Sequence, residues 1–308
     1  MLATTPMSAL ELCDAIRSAK PFDASRLNRI LGLDAVHGLL EVQAATPWHA
    51  IATELRPGDE RAKVHTTMAT VGESLARNAA GPDGTPAVNH VASLTVVTPD
   101  GELRRVSRQK NRDLFALIVG GYGLFGTVYS ITLRIATLAH AVERATRPQQ
   151  MTFQKCRANK ELELLIPPES LDAFVAETDT RCSDWRIPLQ SVSIRQTSRE
   201  DDSYLRWARR DFTELKLALA EPTGLGARVR GAQLRHELID AAIEAGGSFH
   251  IACTADATRE QTEACYPQLK TFLAEKRRFD PHERLVNAWY LHQREVLSSK
   301  PCEVRFGN

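Results

Sequence analysis

Gly121, Gly123 and Gly126 stand in GxGxxG spacing within GGYGLFGTV. Where side chains are missing in that spacing, main-chain N–H groups can approach a phosphate or a flat ring. A nicotinamide-dinucleotide loop of this pattern follows a strand and opens a helix, so that the positive helix end faces a pyrophosphate. Here NRDLFALIV reads as a helix ahead of the glycines, capped by Asn111, and Thr127 to Ile135 alternates in strand period behind them. The order is reversed, which excludes that reading. Two readings stay open: a bend pressed against something flat or bulky, or a tight turn against neighbouring core. A second run of small residues, TVGESLARNAAGPDG, extends from Thr70 to Gly84. His250, in SFHIAC, could serve as a base near neutral pH or be a sheet-surface histidine. Cys265 has no nearby base to activate it and reads as a buried small hydrophobe.

The elements that would position these residues are legible in order. MSALELCDAIRSA suits a short helix, and Arg26 to Leu31 a turn or loop. GLLEVQA alternates as a half-buried strand, and Thr46 with Pro47 opens the helix TPWHAIATEL. SLTVVT and ELRRV form a strand pair across Pro99, Asp100 and Gly101. From about Ala136 to Asn159 the pattern dissolves, which marks a domain boundary. Beyond it ELELLI, SVSIRQ and SFHIAC read as strands. ESLDAFVAE, SYLRWARRDF, RGAQLRHELIDAAIEA and TREQTEACYPQLKTFLAEKRR read as helices. The third of these ends in the glycine cap Gly246–Gly247, and the fourth opens with Thr258 and Gln261 at capping-box spacing. REDDSYLRWARR is expected to be a solvated amphipathic helix with Trp207 as its anchor.

Composition narrows the function classes. The 308 residues are 43% hydrophobic and 25% charged, with 17 Gly and 15 Pro, so collagenous, coiled-coil and wholly disordered readings fall away. The 39 basic and 38 acidic residues leave a formal +1 with no basic face for nucleic acid or anionic lipid. A small-molecule binder fits better. Cysteines at 13, 156, 182, 253, 265 and 302 show neither zinc-ligand spacing nor a disulfide framework, so no metal is expected. Met1 to Lys20 carries Glu11 and Asp14 and lacks an apolar signal core, so a cytoplasmic protein with reduced thiols is expected. Leu114 to Leu133 holds no charge, but its glycines and its change of period suit a buried helix, a turn and a strand rather than a membrane span.

In this order and at these distances, GLLEVQAATPWHAIATEL, TVGESLARNAAG and HVASLTVVTPDGELRRVSRQKNRDLFALIVGGYGLFGTVYSITLRI resemble the FAD-binding (PCMH-type) domain of the vanillyl-alcohol oxidase flavoproteins. AIEAGGSF and the stretch ATREQTEACYPQLKTFLAEKRRFDPHERLVNAWY resemble the tail of members that oxidise alcohols, sugar lactones or related polyols. The resemblance implies an α+β fold: an incomplete FAD-binding domain over residues 1–140, then an α+β substrate or cap domain over 160–297. It also implies FAD as cofactor, a small alcohol or sugar-like substrate, and hydride transfer from a hydroxylated carbon to the flavin, with oxygen or another acceptor restoring the cofactor.

Residue by residue, Gly72, Ser74, Asn78 and Gly81 match the second flavin-contacting loop of the family. Gly120, Gly121, Gly123, Gly126, Thr127 and Val128 match the stretch beside the ribityl chain and ring. Asn78 could equally be a turn former and Ser74 a local cap. In the tail that the family folds back towards the flavin, Asn287, Tyr290 and His292 are the catalytic candidates, with Tyr290 bonding substrate and Trp289 walling the site; the alternative is core anchoring.

Departures accompany the likeness. The first glycine is Gly32, so the glycine-rich diphosphate loop that the family places ahead of FDASRLNRIL, and the histidine it carries for covalent attachment in some relatives, have no counterpart here. Glu73 stands where a second glycine is usual, a carboxylate unfavourable beside a pyrophosphate. The stretch from Ile135 to Leu165 is short, and Cys253, Thr254 and Ala255 replace an aromatic, a histidine and a basic residue. The rival expectation is therefore a catalytically silent or truncated member that binds FAD weakly or not at all and acts as a scaffold.

Overall fold

The structure, a computed structural model, describes residues 3–55, 70–81, 83–138, 161–220, 224–252 and 256–298. The chain divides into two compact units interleaved in sequence: 1–155, 195–211 and 274–285 make the first, and 156–194, 212–273 and 286–308 the second.

In the first unit, helix α1 (Ala9–Arg17) starts at Ser8, whose side chain accepts the Glu11 N–H; Glu11 and Arg17 lie at the ends that suit their charges. Its Leu12, Cys13 and Ile16 pack with Leu27 and Val97 in a buried cluster, each large side chain contributing roughly 1.5–3 kcal/mol by leaving water. Strands β1 (Ile30–Asp34), β2 (Leu39–Gln43), β3 (Val91–Val97), β4 (Leu103–Ser107) and β5 (Thr127–Arg134) form one sheet in the order β1-β2-β5-β3-β4. Every neighbouring pair is antiparallel.

Register stacks Val42 and Leu94 against Ile131, and Leu94 against Val106, as an apolar face. The opposite face carries hydroxyls: Ser93 Oγ donates to Thr132 Oγ1 at 3.1 Å and Ser130 Oγ to Glu41 Oε1 at 2.7 Å. Because β5 is central, Ser130 and Thr132 are buried along with Ile131 and Leu133. Strand period therefore does not translate into an inside and an outside there. Gln43, on the outward side by alternation, is likewise fully buried.

Helices α2 (Trp48–Leu55), α3 (Val71–Arg77) and α4 (Arg112–Ile118) complete this unit. The uncharged stretch 114–133 resolves into the end of α4, the glycine bend and β5. Asn111 precedes α4 in a left-handed conformation with φ 53°, and its Nδ2 donates to Arg105 O at 3.0 Å. It thus ties β4 to the helix instead of capping the helix with its side chain.

The second unit holds β6 (Glu161–Ile166), α5 (Leu171–Trp185), β7 (Leu189–Thr197), β8 (Phe212–Leu219), α6 (Leu225–Glu244) and β9 (Ser248–Phe249), its sheet ordered β7-β8-β6-β9. Strand β7 continues into the first unit from Arg195. Helix α6 closes with Gly246 at φ +78°, Gly246 N–H on Ile243 O and Gly247 N–H on Ala242 O, a Schellman end. Strand β9 is only two residues long, so most of SFHIAC is not strand.

The run from Thr258 is two helices, α7 (Arg259–Cys265) and α8 (Leu269–Phe279), because Pro267 cannot continue the first; α8 crosses into the first unit at residue 274. The Thr258–Gln261 capping box is present. Helix α9 (Ala288–Ser298) ends the described chain.

Residues 199–210 are not a helix. They form turns with Leu205, Trp207 and Ala208 buried, and the buried Glu200 carboxylate accepts the Asp202 and Ser203 N–H groups at 2.9 Å. That local bonding competes with a helix and wins. Among the described residues no helix is long and apolar enough to cross a membrane. The expected boundary near 136–159 and the substitutions at Cys253, Thr254 and Ala255 fall largely or wholly outside the described residues.

Candidate functional site

Helix α3 organises the first unit's candidate residues. Thr70 Oγ1 accepts the Glu73 N–H and Glu73 Oε2 accepts the Thr70 N–H, both at 3.2 Å, a reciprocal capping box. That gives Glu73 a reason to be where it is: its carboxylate satisfies an orphan donor at a helix start. Ser74, 3% exposed, donates to Thr70 O at 3.1 Å and accepts Trp48 Nε1 at 2.8 Å, joining α3 to α2. Gly72 N–H donates to Ala44 O at 2.7 Å, and a Cβ on it would stand 2.7 Å from that same oxygen. Main-chain contact alone requires glycine there.

The far end of α3 meets the glycine bend. Gly120 N–H donates to Leu75 O at 3.0 Å and Tyr122 N–H to Ala76 O at 2.9 Å, so the bend caps the helix carbonyls. The fold thus brings the two segments singled out in the sequence side by side. Gly120, at φ +65°, would place a Cβ 3.4 Å from the Asn78 Cβ. At Gly121 a Cβ would lie 1.8 Å from Leu117 O, and at Gly126 3.0 Å from Val97 O. Gly123 differs: at φ +75° it is exposed, with nothing among the described residues within 4 Å of a Cβ position. Thr127 and Val128 open β5 opposite Val97 and Val96. Gly81 donates to Thr85 O at 2.9 Å, and its carbonyl accepts Arg195 at 3.0 Å.

Asn78 ends α3 in the left-handed region, φ 48° and ψ 39°, and is fully buried. Its Oδ1 accepts the Val88 N–H at 3.0 Å and its carbonyl accepts Trp207 Nε1 at 3.1 Å. Its Nδ2, buried as well, has no hydrogen-bond partner among the described residues. A buried amide donor without an acceptor is costly, which makes it a group that a ligand oxygen would complete.

The catalytic candidates lie in the second unit. Asn287 Oδ1 accepts the Tyr290 N–H at 2.9 Å, the N-cap of α9. Tyr290 is fully buried, with the Arg294 guanidinium 5.4 Å from its ring centroid, and His292 is half-buried. Trp289 Nε1 donates to Ile251 O at 3.3 Å, and its ring meets Phe272 edge-on at 6.3 Å. His250, 7% exposed, donates its main-chain N–H to the Glu163 carbonyl oxygen at 3.1 Å.

Sequence reasoning missed a charged face on this unit's sheet. Glu163 faces Lys216 across the β6–β8 ladder, and Lys216 Nζ lies 2.5 Å from Glu163 Oε1 and 3.6 Å from Glu214 Oε1. Both glutamates are at most 3% exposed, and burial pushes the neighbouring Glu161 carboxyl up. The signal was present: charges at every second residue of ELELLI and FTELKLAL.

Residues 14–107 match the family model described as an FAD binding domain. That span contains Gly72, Ser74, Asn78 and Gly81 and ends ahead of the glycine bend. The FAD-linked oxidoreductase cheF of Chaetomium globosum is 35% identical over 121 residues. The matched stretch covers 37% of this chain and 17% of that protein's length. FAD is the cofactor that the matched domain binds.

Proposed function

We propose that this chain is an FAD-dependent oxidoreductase of the vanillyl-alcohol oxidase type, acting on a hydroxylated carbon of an alcohol, sugar or lactone. The observation that carries the proposal is the unpartnered Nδ2 of Asn78, a buried donor inside the matched FAD-binding span and beside the glycine bend. The residues present fit the cofactor there. Asn78 Nδ2 would donate to one of its acceptor oxygens, and Gly123 would leave bare main chain towards it. Gly81, Gly120, Thr127 and Val128 would line the same strip. Gly72, Ser74, Gly121 and Gly126 would serve it by letting the surrounding main chain close tightly.

When bound, FAD supplies the two-electron acceptor for a hydride leaving the carbon that bears the hydroxyl. In the second unit, Tyr290 and His292 are proposed to act on substrate. Tyr290 would hold the hydroxyl, with His292, on a different face of the same helix, as the further candidate that the resemblance offers. Asn287 keeps both on a helix whose first turn it caps. The buried Glu163, Glu214 and His250, with the partly exposed Lys216, would supply the hydrogen-bonding chemistry that a polyhydroxylated substrate calls for.

One observation favours the silent reading: Gly72 and Gly121 are each required by the chain's own backbone, and Gly126 lies tight against Val97 O, so these glycines need no ligand to account for them. Titrating the purified full chain with FAD separates the two. Enzyme function predicts a yellow protein with quenched flavin fluorescence whose visible band bleaches anaerobically with an alcohol or sugar donor. A colourless chain that ignores excess FAD overturns the proposal.

A further inference from the structure

The direction of the Asn78 amide depends on residues far from it in sequence. The Val88 N–H fixes Oδ1, so the NH2 group must point the other way. The Asn78 carbonyl is held by the indole of Trp207, which is 3% exposed and comes from residues 195–211, a segment that rejoins the first unit after part of the second.

That segment is fastened on several sides. Arg108 makes a two-pronged pair with Asp202 at 2.9 and 2.8 Å, and the same guanidinium donates to Val88 O at 2.9 Å. Tyr204 N–H donates to Ala116 O at 2.9 Å, and Arg195 reaches Ala80 O and Gly81 O at 3.2 and 3.0 Å. Ser203 Cβ lies 3.8 Å from where a Cβ on Gly120 would stand. Val88 is thus gripped at its carbonyl by Arg108 and at its N–H by Asn78, and Asn78 is gripped at its carbonyl by Trp207.

We infer that Trp207 is a positioning residue for the cofactor: its indole N–H on the Asn78 carbonyl, acting with Val88, holds residue 78 in the left-handed conformation that aims Nδ2 at an acceptor oxygen of FAD. The inference rests on the reading above that Asn78 contacts FAD. An asparagine adopts this backbone conformation more readily than most residues but prefers it only under local bonding. Removing the indole donor while keeping an aromatic ring releases that restraint.

The test compares the full wild-type chain with Trp207→Phe, Asn78→Ala and the double variant. Each is titrated with FAD by flavin fluorescence well below every unfolding midpoint, with visible circular dichroism of the bound flavin and the melting midpoint of the ligand-free chain. Asn78→Ala is expected to weaken FAD binding roughly tenfold, the loss of one hydrogen bond. Trp207→Phe is expected to weaken it about three- to tenfold and to alter the flavin dichroism, and the double variant to bind no worse than Asn78→Ala, because the two act through one contact.

A tryptophan with only a structural role would lower the ligand-free midpoint and leave affinity and dichroism at wild-type values; that result, or additive losses in the double variant, overturns the inference. If Trp207→Phe does not fold, Asp202→Asn loosens the same segment and is expected to weaken FAD binding in the same direction by a smaller factor; unchanged affinity there also overturns it. Wild type that fails to bind FAD, or Asn78→Ala that binds like wild type, sinks the site reading and the inference together. Weakening in Asn78→Ala alone sinks only the inference.

Discussion

Two glycines in one bend, Gly121 and Gly123, are used for opposite reasons. At Gly121 a side chain would collide with Leu117 O, and the same holds at Gly72 against Ala44 O at the other end of α3. At Gly123 no described residue comes within 4 Å of a Cβ position, and the positive φ is what asks for glycine. A glycine-rich pattern therefore mixes backbone packing with accessible main chain, and spacing does not separate them. The chemistry is better marked by polar groups: the N-terminal donors of α3 are taken by its capping box and by the carbonyls of Ala44 and Thr46, whereas its C-terminal Asn78 keeps one donor in reserve.

The largest effect should come from Gly121→Ala, whose Cβ would sit 1.8 Å from a carbonyl oxygen. A loss of about 3 kcal/mol is expected in denaturant unfolding. A variant as stable as wild type would erase the contrast between the two glycines. Gly123→Val should cost about 1–2 kcal/mol through its left-handed backbone alone, yet abolish flavin retention in a folded chain. Gly123→Asn, which tolerates that conformation, should recover most of the stability. Unchanged flavin occupancy in folded Gly123→Val would remove Gly123 from the strip.

Thr70→Ala should lose about 1 kcal/mol with FAD affinity unchanged, since the capping box is proposed to shape α3 without touching the cofactor. A weakened affinity would show that the satisfied end of the helix also matters to binding. The smallest effect concerns His90, two residues beyond Val88. Burial, opposed by Asp83 and aided by Arg134, holds its imidazole below the ordinary 6.5. The unfolded chain therefore takes up a proton near that pH which the folded chain refuses, so stability falls as pH drops below about 6.5 and levels off above it. In His90→Asn, measured by unfolding between pH 5 and 7, the decline should be shallower; an identical slope would mean that His90 protonates freely in the fold.

Much of this was legible beforehand because it is local. Thr258 and Gln261 mark a helix start, Gly246 a helix end and Pro99 to Gly101 a hairpin, each by bonds or torsions within a few residues. The failures share a cause. Residues 199–210 have helical spacing, but Glu200 turns back on the Asp202 and Ser203 amides and Trp207 bonds to Asn78. Asn111 looks like a cap, but its amide is taken by Arg105 O. The Glu163–Lys216 pair needs two strands placed side by side before either charge has a neighbour.

The order of residues by itself determined most of the helices, strands and turns, with 199–210 and the end of SFHIAC as exceptions, and that glycine stands at 72, 120, 121, 123 and 126. Propensity, capping and hydrophobic period act over one or two turns of chain. Only the tertiary structure decided that Gly72 closes on Ala44 O, that the 195–211 segment lies against Asn78, and that Asn78 Nδ2 is one of the buried donors with no acceptor among the described residues. Those outcomes depend on hydrogen bonds between residues about ten to more than a hundred positions apart, and a short window of sequence carries no energy term for them.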